Sequence, residues 1–129
     1  MTAAQAHRLY ERLRAVVAAT FPRVANVPLR LHRQHYMRRI TPRDFAWYDS
    51  EDDTVNATMR LLRQPDGRVA GVLAHELGHA ADDQRERAGA ERRADRLAES
   101  ALGLPILYDD GLVQNLDEGV TPRPRKLPT

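Results

Sequence analysis

The chain has 129 residues, of which 42% are apolar and 29% charged, the balance of one soluble globular domain long enough to bury a core. It contains no cysteine, which excludes a disulfide scaffold, a thiolate zinc finger and a cysteine nucleophile. Its 20 basic and 18 acidic side chains leave a formal charge of only +2, which is not that of a dedicated nucleic-acid binder, and no run approaches the roughly 20 apolar residues of a membrane span.

Residues 2–20 read as an amphipathic helix. Thr2 and Gln5 have capping-box spacing. Leu9, Leu13, Val16, Val17 and Thr20 fall on one face, which serves either to pack the helix on its own domain or to bind a partner. Arg8, Glu11, Arg12 and Arg14 interrupt the apolar positions, so the start does not read as a signal peptide and the expected location is the cytoplasm. Pro22 stops the helix.

Residues 27–36 read as a strand, with Pro28 at its start or at a sheet edge. Residues 45–49 and 54–59 carry aromatic and β-branched side chains and are separated by the turn formers Ser50, Glu51, Asp52 and Asp53, the pattern of a β-hairpin. Trp47 and Tyr48 point to opposite faces, so one of them faces the core. Arg30, Arg33, Arg38, Arg39 and Arg43 lie in a stretch with His32 and His35 and no acid. That stretch reads as a solvated strand edge and loop, with an acidic or nucleic-acid partner as the alternative; Tyr36 alone is too little for a stacking platform.

Pro65, Asp66 and Gly67 punctuate the chain. A helix is expected over 68–87, buried through Val69, Val72, Leu73, Leu77 and Ala80, then a turn at Ala88, Gly89 and Ala90. Another helix is expected over 91–102, packing through Ala94, Leu97, Ala98 and Ala101 and ended by Gly103 and Pro105. The expected fold is α+β. It comprises an N-terminal helix, a small antiparallel sheet of about three strands, an active-site helix and a glutamate-bearing helix in one domain over 1–104, with an irregular tail over 105–129.

The informative segment is His75-Glu76-Leu77-Gly78-His79. Composition alone produces such a pentapeptide in about one chain in a hundred. On a helix, residues i and i+4 share a face, so the two imidazoles can share one cation. Tetrahedral zinc accepts His nitrogens, and Glu76, offset by about 100°, borders that face as a general base needs to. Two His ligands leave a catalytic site one protein ligand short. His79 is the last His, so the third cannot be a downstream His. Glu91 is the best candidate, with Asp83 or Asp95 as alternatives. Glu91 and Asp95 share a helix face, so Asp95 can instead accept the second N–H of a metal-bound His. Asp82, Asp83, Glu86 and Glu99 otherwise read as solvated faces.

At these residues the chain resembles the gluzincin metallopeptidases, and within them the minimal forms, the minigluzincins and the ImmA/IrrE-type proteins. The string Glu91-Arg-Arg-Ala94-Asp95-Arg-Leu97-Ala98 is similar to the downstream pattern E-x-x-A-[ND]-x-[FL]-A of those proteins, and the resemblance spans roughly residues 45–102. The interval from His79 to Glu91 is shorter than these families often carry. The resemblance implies zinc held by His75, His79 and Glu91, Glu76 as general base, and hydrolysis of a peptide or protein substrate by zinc-activated water. It also implies main-chain pairing of substrate with an edge strand, for which residues 54–58 are the candidate. Tyr108 offers a hydroxyl toward the oxyanion or simply packs on the surface. Asp109, Asp110, Asp117 and Glu118 lie on a tail that would restrain activity if it crossed the cleft. The alternative function is a regulatory or interaction protein with a structural or weakly active zinc site.

Overall fold

The computed structural model describes residues 1–33, 45–83 and 89–106. The first helix, α1, spans Ala3–Thr20. Its start is a full capping box: Gln5 N–H donates to Thr2 Oγ1 at 3.1 Å, and Thr2 N–H donates to Gln5 Oε1 at 2.7 Å. Ala6, Leu9, Tyr10, Leu13 and Val17 form its buried face, so it packs on its own domain. A short 3-10 turn at Pro22–Val24 then redirects the chain into the sheet.

Strands β1 (Leu29–His32), β2 (Ala46–Asp49) and β3 (Thr54–Thr58) make a three-stranded sheet in the order β1-β3-β2. The hairpin β2–β3 is antiparallel as expected, but β1 pairs parallel to β3, so the sheet is mixed rather than antiparallel. The hairpin is a local pairing set by its turn. The partner of β1 is non-local, and side-chain alternation encodes a strand's faces but not its neighbour. In register, Leu29, Val55 and Tyr48 form one row and Leu31, Ala57 and Ala46 the next, and both rows meet the helices. On the other face His32 stacks on Trp47 at 5.2 Å, and its Nε2 lies 2.8 Å from Asn56 Oδ1. Tyr48 is therefore the core-facing member of the Trp47–Tyr48 pair.

Helix α2 spans Asp66–Ala81, starting one residue after Pro65. It is buried on nearly all sides because the sheet, α1 and the last helix, α3 (Ala90–Leu102), all pack on it. It ends well short of the expected Arg87: Asp82 has left helical geometry (φ −75°, ψ 112°) and sends its carboxylate to Arg93 on α3, Oδ2 to Nε 3.0 Å. Asp82 is buried, so it does not lie on the solvated face expected of it, whereas Asp83 is exposed as expected and pairs with Arg23.

Gly89, at φ 75°, opens α3, and Gly103, at φ 69°, closes it with its N–H on Glu99 O. Ala94, Ala98 and Leu102 are its buried face. The first residues after it are packed: Leu104 and Ile106 are buried, and Ile106 N–H donates to Glu99 Oε2 at 3.0 Å, giving Glu99 a structural partner. His35, Tyr36, Arg38, Arg39, Arg43 and Glu86, and the tail residues Tyr108, Asp109, Asp110, Asp117 and Glu118, lie outside the described residues. Among the described residues no helix is long and apolar enough to cross a membrane.

Candidate metal centre

The centre is built where α2 and α3 touch. Small residues allow that contact: a Cβ on Gly78 would lie 2.0 Å from the carbonyl oxygen of Ala94, so only glycine at 78 permits this approach. The contact sets one turn of α2, with His75 and His79, against the first turns of α3, with Glu91 and Asp95. Helical spacing does the rest, because each pair is i, i+4 and faces the other helix.

Three ligand-type atoms converge. His75 Nε2 lies 3.1 Å from His79 Nε2, and Glu91 Oε2 lies 2.6 Å from the first and 3.2 Å from the second. Ligands placed around a tetrahedral zinc at about 2.0–2.1 Å are separated by roughly 3.3 Å; the two contacts of His79 come near that spacing, whereas His75 and Glu91 sit closer, at hydrogen-bond distance. The imidazoles stand nearly perpendicular, at 85°, so their Nε2 atoms aim at one point from two directions. His75 Nδ1–H donates to Asp95 Oδ1 at 2.7 Å, which leaves Nε2 as the ligand nitrogen and fixes the ring. Asp95 thus occupies the supporting position and not the third-ligand position. Asp83 is turned away toward Arg23.

Two glutamates border the point of convergence. Glu76 offers an oxygen within 4.8 Å of the two imidazole nitrogens, so it forms a metal-capable group with them. Glu91 offers the other carboxylate, its Oε2 at 2.6 and 3.2 Å from the two rings. Glu76 is buried, and its carboxylate accepts the backbone N–H of Tyr48. It is held beside the trio and against β2, the position of a base.

The electrostatics follow from burial and crowding. Burial works against protonation of His75, but the carboxylates of Glu76, Asp95 and Glu91 outweigh it and hold its pKa above the usual imidazole value. Burial and the neighbouring His75 lower that of His79. Glu91 is opposed by partial burial, yet the two imidazoles pull it below the usual carboxylate range. Burial pushes Glu76 up to about 8, with Glu91 and Asp95 adding and the His75 charge opposing.

Glu76 dictates a pH effect on the metal-free protein. Its folded pKa exceeds its ordinary value of 4.5, so between 4.5 and about 8 the fold keeps a proton that the unfolded chain releases. Stability from this group is present below 4.5 and is lost as pH rises through that window. Urea midpoints of the metal-free protein and of Glu76→Gln at pH 5.5 and 7.5 read it out. Relative to the glutamine variant, the parent should lose on the order of 2–4 kcal/mol between those pH values.

The sheet places one of its edges beside α2. Thr58 N–H donates to Phe45 O at 2.9 Å, which makes 45/58, 47/56 and 49/54 the bonded pairs of the hairpin. The main-chain groups of Ala46 and Tyr48 therefore point away from β3, toward the side where Glu76 lies. Residues 54–58, expected to be the substrate edge, form the middle strand with neighbours on both sides; β2 is the edge beside α2. Two site features escaped the sequence reading. The Tyr48 N–H is a backbone group and leaves no mark in residue letters, and the Asp82–Arg93 pair joins residues across a turn. The one sequence signal for that pair is an acid and a base flanking the 84–88 connection. No protein-family profile, curated protein or solved structure matches this chain.

Proposed function

We propose that the chain is a zinc-dependent peptide hydrolase of the gluzincin kind, with His75, His79 and Glu91 as ligands and Glu76 as general base. The observation that carries this reading is the convergence of two imidazole nitrogens and one carboxylate oxygen at 2.6–3.2 Å, with a buried, separately held carboxylate beside them. Structural zinc sites are closed by four protein ligands, whereas three ligands leave a position for water or substrate. The Glu91 side chain is 79% exposed, so the trio opens to solvent. This favours a catalytic centre over the structural zinc site of an interaction protein.

Zinc bound by the trio would supply Lewis acidity to a water molecule and to the scissile carbonyl. Glu76 receives the water's proton on its carboxylate and passes it to the departing amine nitrogen. The Tyr48 N–H fixes the carboxylate, and Asp95 keeps His75 in the tautomer whose Nε2 faces the centre. An extended substrate would pair with β2 at the outward main-chain groups of Ala46 and the Tyr48 carbonyl, the Tyr48 N–H being held by Glu76, which brings its backbone beside Glu76. Peptides and proteins are the substrate class that such pairing selects.

The test is hydrolysis of an unfolded protein substrate and a mixed peptide library. Cleavage should disappear after treatment with a strong chelator and return when one equivalent of zinc is restored. Cleavage that survives chelation contradicts a zinc-dependent reaction.

A further inference from the structure

We propose that the Asp82–Arg93 ion pair is a positioning device for the metal centre, holding α3 at the orientation that keeps Glu91 against His75 and His79. This inference rests on the zinc reading above.

Besides its own contacts with the two imidazoles and the Asp95 bond to His75, Glu91 depends on the placement of its helix. Its side chain is largely exposed, so apolar packing does not fix it and its position depends on where the first turns of α3 lie. The tight contact between α2 and α3 is Gly78 against Ala94. Ala98 and Leu102 bury the later turns of α3 in the core, so the placement of its first turn depends on what ties that end to α2. Among the described residues, packing is looser toward the start of α3. A cleft of about 460 Å³ opens there between the end of α1, the end of α2 and α3, with Phe21, Pro22 and Leu97 among its walls.

Asp82 and Arg93 bridge that cleft. Asp82 follows His79 by three residues and Arg93 follows Glu91 by two, so the pair links the ligand-bearing turns of both helices. Arg93 Nε donates to Asp82 Oδ2 at 3.0 Å, and the Asp82 side chain is only 4% exposed. A charge-assisted bond to a buried carboxylate is directional and costly to break, because the carboxylate left behind has lost its water. The helix itself records the constraint: α2 stops at Ala81 and Asp82 adopts an extended conformation that aims its carboxylate across the gap. The pair touches none of the three ligand atoms; besides placing Glu91, the Asp82 charge also acts on His79.

The experiment compares zinc affinity, by competition with a chromogenic chelator, in the full chain and in the variants Asp82→Asn, Arg93→Lys, Glu91→Ala and Asp82→Asn with Glu91→Ala. Circular dichroism and urea unfolding report whether each is folded. Asp82→Asn keeps the size and removes the charge, and should weaken zinc binding about ten- to a hundredfold, the range for residues that orient metal ligands. Arg93→Lys keeps the charge but not the Nε–H geometry, and should show a smaller loss. In the Glu91→Ala background, Asp82→Asn should cause a much smaller loss, because the residue it positions is gone and only its charge effect at His79 remains. Unchanged affinity in Asp82→Asn and Arg93→Lys, with zinc binding in the parent, overturns the inference and leaves the zinc reading standing. An equal loss with and without Glu91 overturns it too, since it marks general weakening of the fold. If neither single variant folds, the pair is a fold determinant and the inference is wrong. Failure of the parent to bind zinc removes the reading beneath it as well.

Discussion

Replacing Glu76 with glutamine is expected to lower peptide hydrolysis by about three orders of magnitude, within the range for loss of a positioned general base. Zinc content should not change, because the proposed ligands are the converging trio His75, His79 and Glu91. Glutamine matches glutamate in shape and can still accept the Tyr48 N–H, so the local structure has no reason to move. It cannot take a proton from water. It also removes a buried carboxyl whose pKa has been driven up to about 8, so the metal-free variant should be the more stable of the two at pH 7.5. Loss of activity with zinc retained and stability raised would identify Glu76 as the base. Near-parental activity, measured on the same peptides at equal zinc occupancy, would remove Glu76 from that role.

The second large effect is expected at a residue with no functional group. Gly78→Ala places a methyl carbon 2.0 Å from the Ala94 carbonyl oxygen, well inside contact distance, and the obstacle is helix backbone that cannot swing aside. α2 and α3 must separate, and a shift of an ångström or more takes Glu91 out of range of two imidazoles that it now meets at 2.6 and 3.2 Å. Overpacking of a core ordinarily costs about 1–3 kcal/mol, and a clash with backbone belongs at or above the top of that range. Zinc affinity should fall by at least about a hundredfold, as for loss of a ligand's placement. Chelator competition and urea unfolding check both numbers. A Gly78→Ala protein with parental zinc affinity would show that the helices tolerate a wider separation than this geometry allows.

These two residues also show what the sequence could and could not disclose. The imidazole pair was legible because i, i+4 spacing converts directly into a shared face. Glu91 and Asp95 were legible for the same reason, once a third ligand was required and a second helix was in view. The capping box of α1 and the β2–β3 hairpin are local, and local chemistry specifies them. What escaped were relations between distant segments. The parallel partner of β1 depends on which edge of β3 is left open by the hairpin, and alternation in residues 27–36 is silent on that. The end of α2 was placed too late because Asp82 and Asp83 are compatible with a helix; Arg93, eleven residues on, draws Asp82 out of it. Gly78 is readable as a small residue between two histidines, but that it must be glycine is a property of the Ala94 carbonyl opposite. Residues 54–58 as the substrate edge came from the family resemblance alone; that they are the middle strand follows from the non-local pairing with β1, which residue letters do not show.

Zinc per chain, measured by elemental analysis on protein purified without added metal beside the Glu91→Ala variant, bears most directly on the whole account. About one zinc per parent chain and a clear loss in the variant is the expected result, because the trio supplies three of four tetrahedral positions and the variant only two. A parent chain that holds no zinc even after reconstitution would contradict the account, since the converging imidazoles and carboxylate would then be a hydrogen-bonded cluster and nothing more.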